Sequence, residues 1–403
     1  MLLYLASPYR TAEGIDSRFR LCSDWTSLLA AAARHQTLTL LAMALHGLEL
    51  LDAIPAPFSD RLRQVRQAAV IADLSKTQNT ADLLDRFQRR GIRTMLLKGQ
   101  GIAERVHLEP SERYSADIDF LVQPGDVEPA GEVLEEAGYR PFHAEVFRNL
   151  HFHIPYFSPD QPTRPPVELH WDVAYPDGSI RFNTGAWWEK ATTRQLRAGE
   201  VLLPPPEEEL VYLAFHALNR GIITLRTVSD VARLRALTFE SLNWDRIFAY
   251  AAETGTIAFF NVVHQLAEEF WPVPHIALPP LSNWQSALKL RIASNLLAPA
   301  TVLRTGCDVW WPYKRITYWA VLPGNSADRS TLFSLKSRLL HEIHDGEVEA
   351  GAAQSYPGFM ARILAGLLLC LMPGKLFPST RDQVLLMARR GGFPAPAGGD
   401  GTP

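Results

Sequence analysis

The sequence predicts an α+β fold, a small mixed sheet flanked by an N-terminal and a C-terminal helical region. Three observations predict it. Residues before about 90 carry apolar side chains at helical spacing, residues 94 to 171 switch to short alternating strands broken by turns, and helical spacing returns after the triple proline Pro204–Pro206. The expected division is therefore 1–90 as an N-terminal helical region, 91–203 as the sheet-bearing core, 204–390 as a C-terminal helical domain and 391–403 as a tail.

In the first region Trp25, Leu28, Leu29 and Ala32 share a helical face, followed after His35 by Leu38 and Leu41. Pro55 and Pro57 separate this group from a second one, where Leu62, Val65, Ala69 and Ala72 repeat the spacing and Leu83, Leu84 and Phe87 extend it. Gly91, after Arg89 and Arg90, supplies the stop. Thr94–Leu97 then reads as a strand, Gly101–His107 as a short helix, and Ala116–Val122 as a second strand. Pro124 and Asp126 begin a helix that Gly138 ends. Leu150, Phe152, Ile154 and Tyr156 alternate with His151, His153 and Pro155, and Val167–Trp171 alternates again, which predicts a hairpin. After the prolines, Glu207–Glu209 suit a helix first turn, where carboxylates complement the macrodipole, and Leu210 through Ala236 reads as helix, turn, helix. Breaks at Pro272–Pro274, Pro279–Pro280 and Gly324 divide the helices that follow. From Gly391 the chain holds too little apolar surface to build a core and reads as disordered.

Bulk properties narrow the function. A chain of 403 residues, 47% hydrophobic and 21% charged, can bury a large core and fill about two or three domains. Its formal charge of -3 offers no broad basic surface, so long nucleic acid is not the expected partner. The three cysteines, Cys22, Cys307 and Cys370, lie far apart without CxxC spacing. That pattern gives neither a disulfide framework nor a zinc site and suits a reducing, cytoplasmic setting. The N-terminus meets Arg10 before any long apolar stretch, which argues against a signal peptide. Ile363–Met372, the most apolar segment, is about half the length of a membrane span and reads as a buried helix, so no transmembrane segment is expected.

The chemistry concentrates between Met95 and Val122. Strand geometry puts Asp117 and Asp119 on one face and Ile118 and Phe120 on the other. Two such carboxylates repel by on the order of several kcal/mol in a partly buried site unless a cation joins them, and hard oxygen ligands suit Mg²⁺. Glu168 and His170 share a face of the later strand. Lys98 and Arg113, the cations nearest in sequence, can stabilise phosphoryl charge, and Gly99 lets backbone approach a phosphate without a Cβ. The run Lys98–Gly101 lacks the GxxxxGK[ST] spacing of a P-loop. His151, His153 and His170 could ligate metal by residue type, but a two-residue spacing is a weak zinc signal; polar lining of the acceptor side is favoured over metal binding, with inert surface histidines the other reading.

The order LLKG, Arg113, DIDFLV and later VELHW resembles the nucleotidyltransferase superfamily typified by DNA polymerase beta, and more narrowly a bacterial family of uncharacterised nucleotidyltransferases. The turn Lys98-Gly99-Gln100 departs from the Gly-Ser or Gly-Gly common in the superfamily. The resemblance implies Asp117, Asp119 and Glu168 as catalytic metal ligands, with Lys98, Gly99 and Arg113 at the nucleotide phosphates. His216, Arg226 and Asp230 resemble a His…Arg…Asp pattern of the narrower family, which implies contacts to the base or sugar, while a buried interhelical hydrogen-bond network accounts for them equally well. It further implies Mg²⁺, or Mn²⁺ in its place, and an NTP co-substrate whose nucleoside monophosphate passes to a hydroxyl-type acceptor with release of pyrophosphate. The acceptor, a small molecule, peptide or protein, is not encoded in any motif. Two other readings fit the same residues: a metal-dependent tailoring enzyme or phosphotransferase acting on a peptide or small molecule, and a nucleotide-binding family member without turnover.

Overall fold

The computed structural model describes residues 1–142, 144, 147–148, 151–175, 180–219, 223–279, 284–305, 317 and 320–322. The expected break at Gly324, the helix at 363–372 and the tail from 391 lie outside the described residues. Five helices precede the first strand: α1 (Leu2–Leu5), α2 (Ala12–Arg20), α3 (Trp25–Arg34), α4 (Leu38–Gly47) and α5 (Ala56–Arg89). Thr11 and Asp24 cap α2 and α3 by accepting from the backbone N–H of Gly14 and Ser27, which satisfies donors that a helix start leaves open. Pro55 and Pro57 open α5, and Gly91 follows it at φ +70°, a left-handed conformation that removes the Cβ penalty.

Seven strands form one mixed sheet: β1 (Met95–Leu96), β2 (Ile118–Leu121), β3 (Arg140–Pro141), β4 (His153–Phe157), β5 (Val167–His170), β6 (Thr192–Leu196) and β7 (Gly199–Leu203). Their order is β3-β4-β5-β2-β1-β7-β6, with β2 parallel to β5, β1 parallel to β7, and the other neighbours antiparallel. Between them lie α6 (Gln100–Val106), α7 (Val127–Glu136) and α8 (Thr184–Lys190). After β7 come α9 (Pro206–Leu218), α10 (Leu225–Thr238), α11 (Trp244–Glu253), α12 (Ile257–Phe270), α13 (Trp284–Leu296) and α14 (Pro299–Thr305). Pro205 caps α9 and Pro206 opens it.

Strand alternation divides the sheet between two cores. Ile118, Phe120, Ile154, Val167 and Leu169 pack with Leu83 and Phe87 of α5 and with Val127, Ala130, Val133 and Leu134 of α7. Met95, Leu97 and Leu121 point the other way, into a cluster shared with the N-terminal helices and with α9 to α14. Burying both faces pins the register, because a one-residue slip in β2 would drive Asp119 into the first core. No helix among the described residues is long and apolar enough to cross a membrane.

Candidate active site

The register places the carboxylates. Parallel pairing sets Asp119 of β2 beside Glu168 of β5, and antiparallel pairing sets His153 of β4 beside His170. Because Ile118, Phe120 and Leu169 fill the apolar core behind them, Asp119, Glu168, His170 and His153 share the opposite face. Asp117 stands one residue before β2, half-buried, and its Oδ1 accepts a 2.7 Å hydrogen bond from Ser115 Oγ. Lys76 of α5 donates in turn to the Ser115 carbonyl, and burial pulls its pKa down to about 8. Asp117, Asp119 and Glu168 offer oxygens within 4.8 Å of one another, and His153, Glu168 and His170 form a second group at the same separation.

The Lys98-Gly99 turn closes over this face from β1. Leu97 N–H donates to the Asp119 carbonyl at 3.0 Å, and the Lys98 ammonium pairs with Asp119 Oδ1 and lies 3.6 Å from Glu168 Oε2. Gly99 adopts φ +62° and ψ −118°, and a Cβ there would come within 3.2 Å of Ser115 Oγ and 3.5 Å of Asp119 Oδ2. The positive φ is what favours glycine, while the added Cβ would ask Ser115 Oγ to give by a few tenths of an ångström and would only touch Asp119 Oδ2.

His170 Nε2 lies 3.2 Å from Asp119 Oδ1 and 3.2 Å from Glu168 Oε2. An ionised carboxylate only accepts, so this nitrogen carries the proton. Burial opposes charge on each of these groups, yet their mutual pairing prevails. Lys98 is held well above the usual lysine value by Asp119 and Glu168, and His170 is raised by its hydrogen bonds to the same two residues. Asp119 is lowered by Lys98 and His170 despite its burial, and Glu168 is held well below the ordinary range by His153, Lys98 and His170 in that order. His153 goes the other way, since burial pushes it down to about 4 and leaves the ring neutral near pH 7.

These groups line a cavity of about 720 Å³. Lys98, Gly99, Arg113, Asp117, Asp119, Glu168, His216 and Arg226 all reach its wall, whereas Asp230 does not. Asp230 is buried behind the wall, accepting from Arg113 Nε at 2.9 Å and facing His107 Nε2 at 3.3 Å. Arg113 keeps Nη1 buried without a hydrogen-bond partner among the described residues. Arg226, at the start of α10, donates from Nη1 to the Tyr114 carbonyl at 3.0 Å, and His216 of α9 lies one helical turn from Tyr212, their rings 6.0 Å apart. Gln36, Leu38 and Thr39 of the N-terminal region complete the enclosure. Ser115, Lys76 and Tyr212 are site or support residues that no motif marks, although Ser115 precedes the Asp-x-Asp strand and Tyr212 shares a helical face with His216. An acidic floor facing arginines is an arrangement that can hold a cation and a polyphosphate together.

No curated protein matches the chain in sequence. Among solved structures, the antibiotic-resistance factor ANT(2'')-Ia, known from a solution structure, matches at 13% identity and a TM-score of 0.34, over 48% of this chain and 98% of its own. The model of the family described as "Uncharacterised nucleotidyltransferase" matches residues 22–272, a span that contains the carboxylates, the Lys-Gly turn and both arginines, and the chain belongs to that family.

Proposed function

We propose that the protein is a divalent-metal-dependent enzyme that moves a nucleoside monophosphate from an NTP to a hydroxyl-type acceptor, releasing pyrophosphate. The observation that carries this reading is the convergence of Asp117, Asp119 and Glu168 on one cavity wall, in a chain of this family. The residues fit a hard cation: among the described residues Asp119 Oδ2 is buried without a hydrogen-bond partner, and the carboxylates of Asp117 and Glu168 converge beside it. Asp117 and Asp119, with Glu168 adjacent, would hold Mg²⁺ or Mn²⁺, which when bound supplies charge neutralisation at the α-phosphate.

The chain's own groups account for the remaining tasks. Arg113 offers its uncommitted Nη1 edge to triphosphate oxygens while Asp230 fixes the other side of the guanidinium, and Arg226 adds a second fork from α10. Asp230 is thereby a positioning residue for Arg113. His216 stands on the same wall for the sugar or base. Glu168, ionised at neutral pH, accepts the hydrogen bond of the acceptor hydroxyl and takes its proton as the oxygen attacks the α-phosphorus. The bond to the α–β bridging oxygen breaks, and pyrophosphate leaves with its electron pair. Small-molecule, peptide and protein hydroxyls remain the acceptor classes, and the charge of -3 disfavours long nucleic acid.

The test is mass spectrometry of candidate acceptors incubated with each common NTP and Mg²⁺. The expected result is an added nucleoside monophosphate with equimolar pyrophosphate, lost by about a thousandfold or more in Asp119→Asn, whose amide is a poorer metal ligand. An added bare phosphate would instead make the protein a phosphotransferase, and NTP binding without product would make it a binding protein.

A further inference from the structure

We propose that Lys98 occupies the position of a second metal ion, so that the site works with a single divalent cation held by Asp117 and the Oδ2 side of Asp119. The proposal rests on the nucleotidyl-transfer reading of the same carboxylates and concerns how many ions they take. Three converging carboxylates can hold two divalent ions. Here their oxygens divide into an engaged set and an open set.

The engaged set is Asp119 Oδ1 and Glu168 Oε2. Lys98 Nζ pairs with the first and lies 3.6 Å from the second, and His170 Nε2 is 3.2 Å from each. An ion bridging these oxygens would have to displace both an ammonium and an imidazole N–H from a buried position. The open set is Asp119 Oδ2, buried and without a hydrogen-bond partner among the described residues, and the neighbouring Asp117, whose Oδ1 is oriented by Ser115. Gly99 borders Asp119 Oδ2, where a Cβ would lie 3.5 Å away in ordinary contact. Lys98 reaches its position on a short tether, since the turn that carries it is fixed by the Leu97 N–H bond to the Asp119 carbonyl, and its side chain is 11% exposed. An ammonium brings one positive charge and three donors but no Lewis acidity. The single ion therefore does the coordination chemistry, and Lys98 balances the charge of the Asp119–Glu168 pair.

The experiment is anomalous diffraction at the manganese edge from crystals soaked in MnCl₂, with and without non-hydrolysable analogues of each common NTP. The expected wild-type map has one manganese peak at Asp117 and Asp119, with Lys98 still between Asp119 and Glu168. In Lys98→Met the vacated oxygens should accept a second peak. Two peaks in the wild type, one peak that displaces Lys98, a peak at His153 and His170, or no peak would each overturn the proposal. The wild-type count decides even if Lys98→Met does not fold. Nucleotide density is read separately from the metal count, so a failure of the nucleotidyl-transfer reading is distinguishable from a failure of the one-ion assignment.

Discussion

Asp230 shows how much a single buried charge can determine. It is 3% exposed and held by Arg113 and His107, and with burial opposing ionisation these partners still bring its pKa down to about 2. An unfolded aspartate titrates near about 3.9. The folded value is the lower one, so the pair contributes stability that is present above the unfolded pKa and lost as pH falls toward the folded one, on the order of 2 kcal/mol in all. Asp230→Asn would leave the Arg113 guanidinium buried and uncompensated, at a cost of about 3–5 kcal/mol. Urea denaturation of both proteins should show a large gap at pH 7 that narrows at pH 3; a gap that does not change with pH would remove the ion pair as its cause. A buried polar network is one reading of Asp230 in sequence, but its partner was not legible, because Arg113 lies 117 positions away and no local pattern reports such a pair. The three carboxylates were more legible. Asp117 and Asp119 alternate with buried Ile118 and Phe120, and that contrast between faces is itself a local pattern.

At the scale of elements, the connection from β1 through Lys98-Gly99 to α6 sets the geometry of the cavity floor. Gly99 holds a positive φ, a conformation that costs other residues on the order of 1–3 kcal/mol, and a Cβ there would press on Ser115 Oγ. Gly99→Ala should lower the melting temperature and also weaken Mn²⁺ binding, because the new methyl meets Ser115 Oγ, which orients Asp117, and approaches Asp119 Oδ2. Calorimetry of Mn²⁺ binding alongside a thermal melt checks both, and an alanine variant with wild-type affinity would detach this turn from the metal site. The turn and its flanking strands are written in sequence as apolar runs around a Lys-Gly pair. The hairpin β6–β7 is not, since Thr192 to Gln195 are polar on both faces and, of its strand residues, only Leu196, Val201 and Leu203 are buried. An edge hairpin of this composition is positioned by pairing with β1, which is a tertiary contact and leaves no period-2 signal.

For the whole molecule, the question is whether the sheet can stand without its helices. Local spacing marks where elements begin, and the breaks near residues 90 and 204 are of that kind, but spacing does not say which apolar faces meet. One hydrophobic cluster runs from Leu2 and Leu5 through Met95, Leu97 and Leu121 to Leu210, Phe215, Phe259 and Leu322, joining all three regions. Met95, Leu97 and Leu121 are each 0% exposed and cover the site-bearing side of the sheet. A fragment limited to residues 91–203 would return these three side chains to water at about 1.5–3 kcal/mol each, a sum comparable with the total stability of roughly 5–15 kcal/mol typical of a domain. It would also lose α5, whose Leu83 and Phe87 close the opposite core, and would expose Lys98 and Asp119 to solvent, where their attraction is screened. The expected outcome is a fragment without dispersed amide resonances or a cooperative melt, whereas residues 1–322 give both. A 91–203 fragment that melts cooperatively and still binds Mn²⁺ would show that the sheet is an autonomous unit and that the helices only cover it.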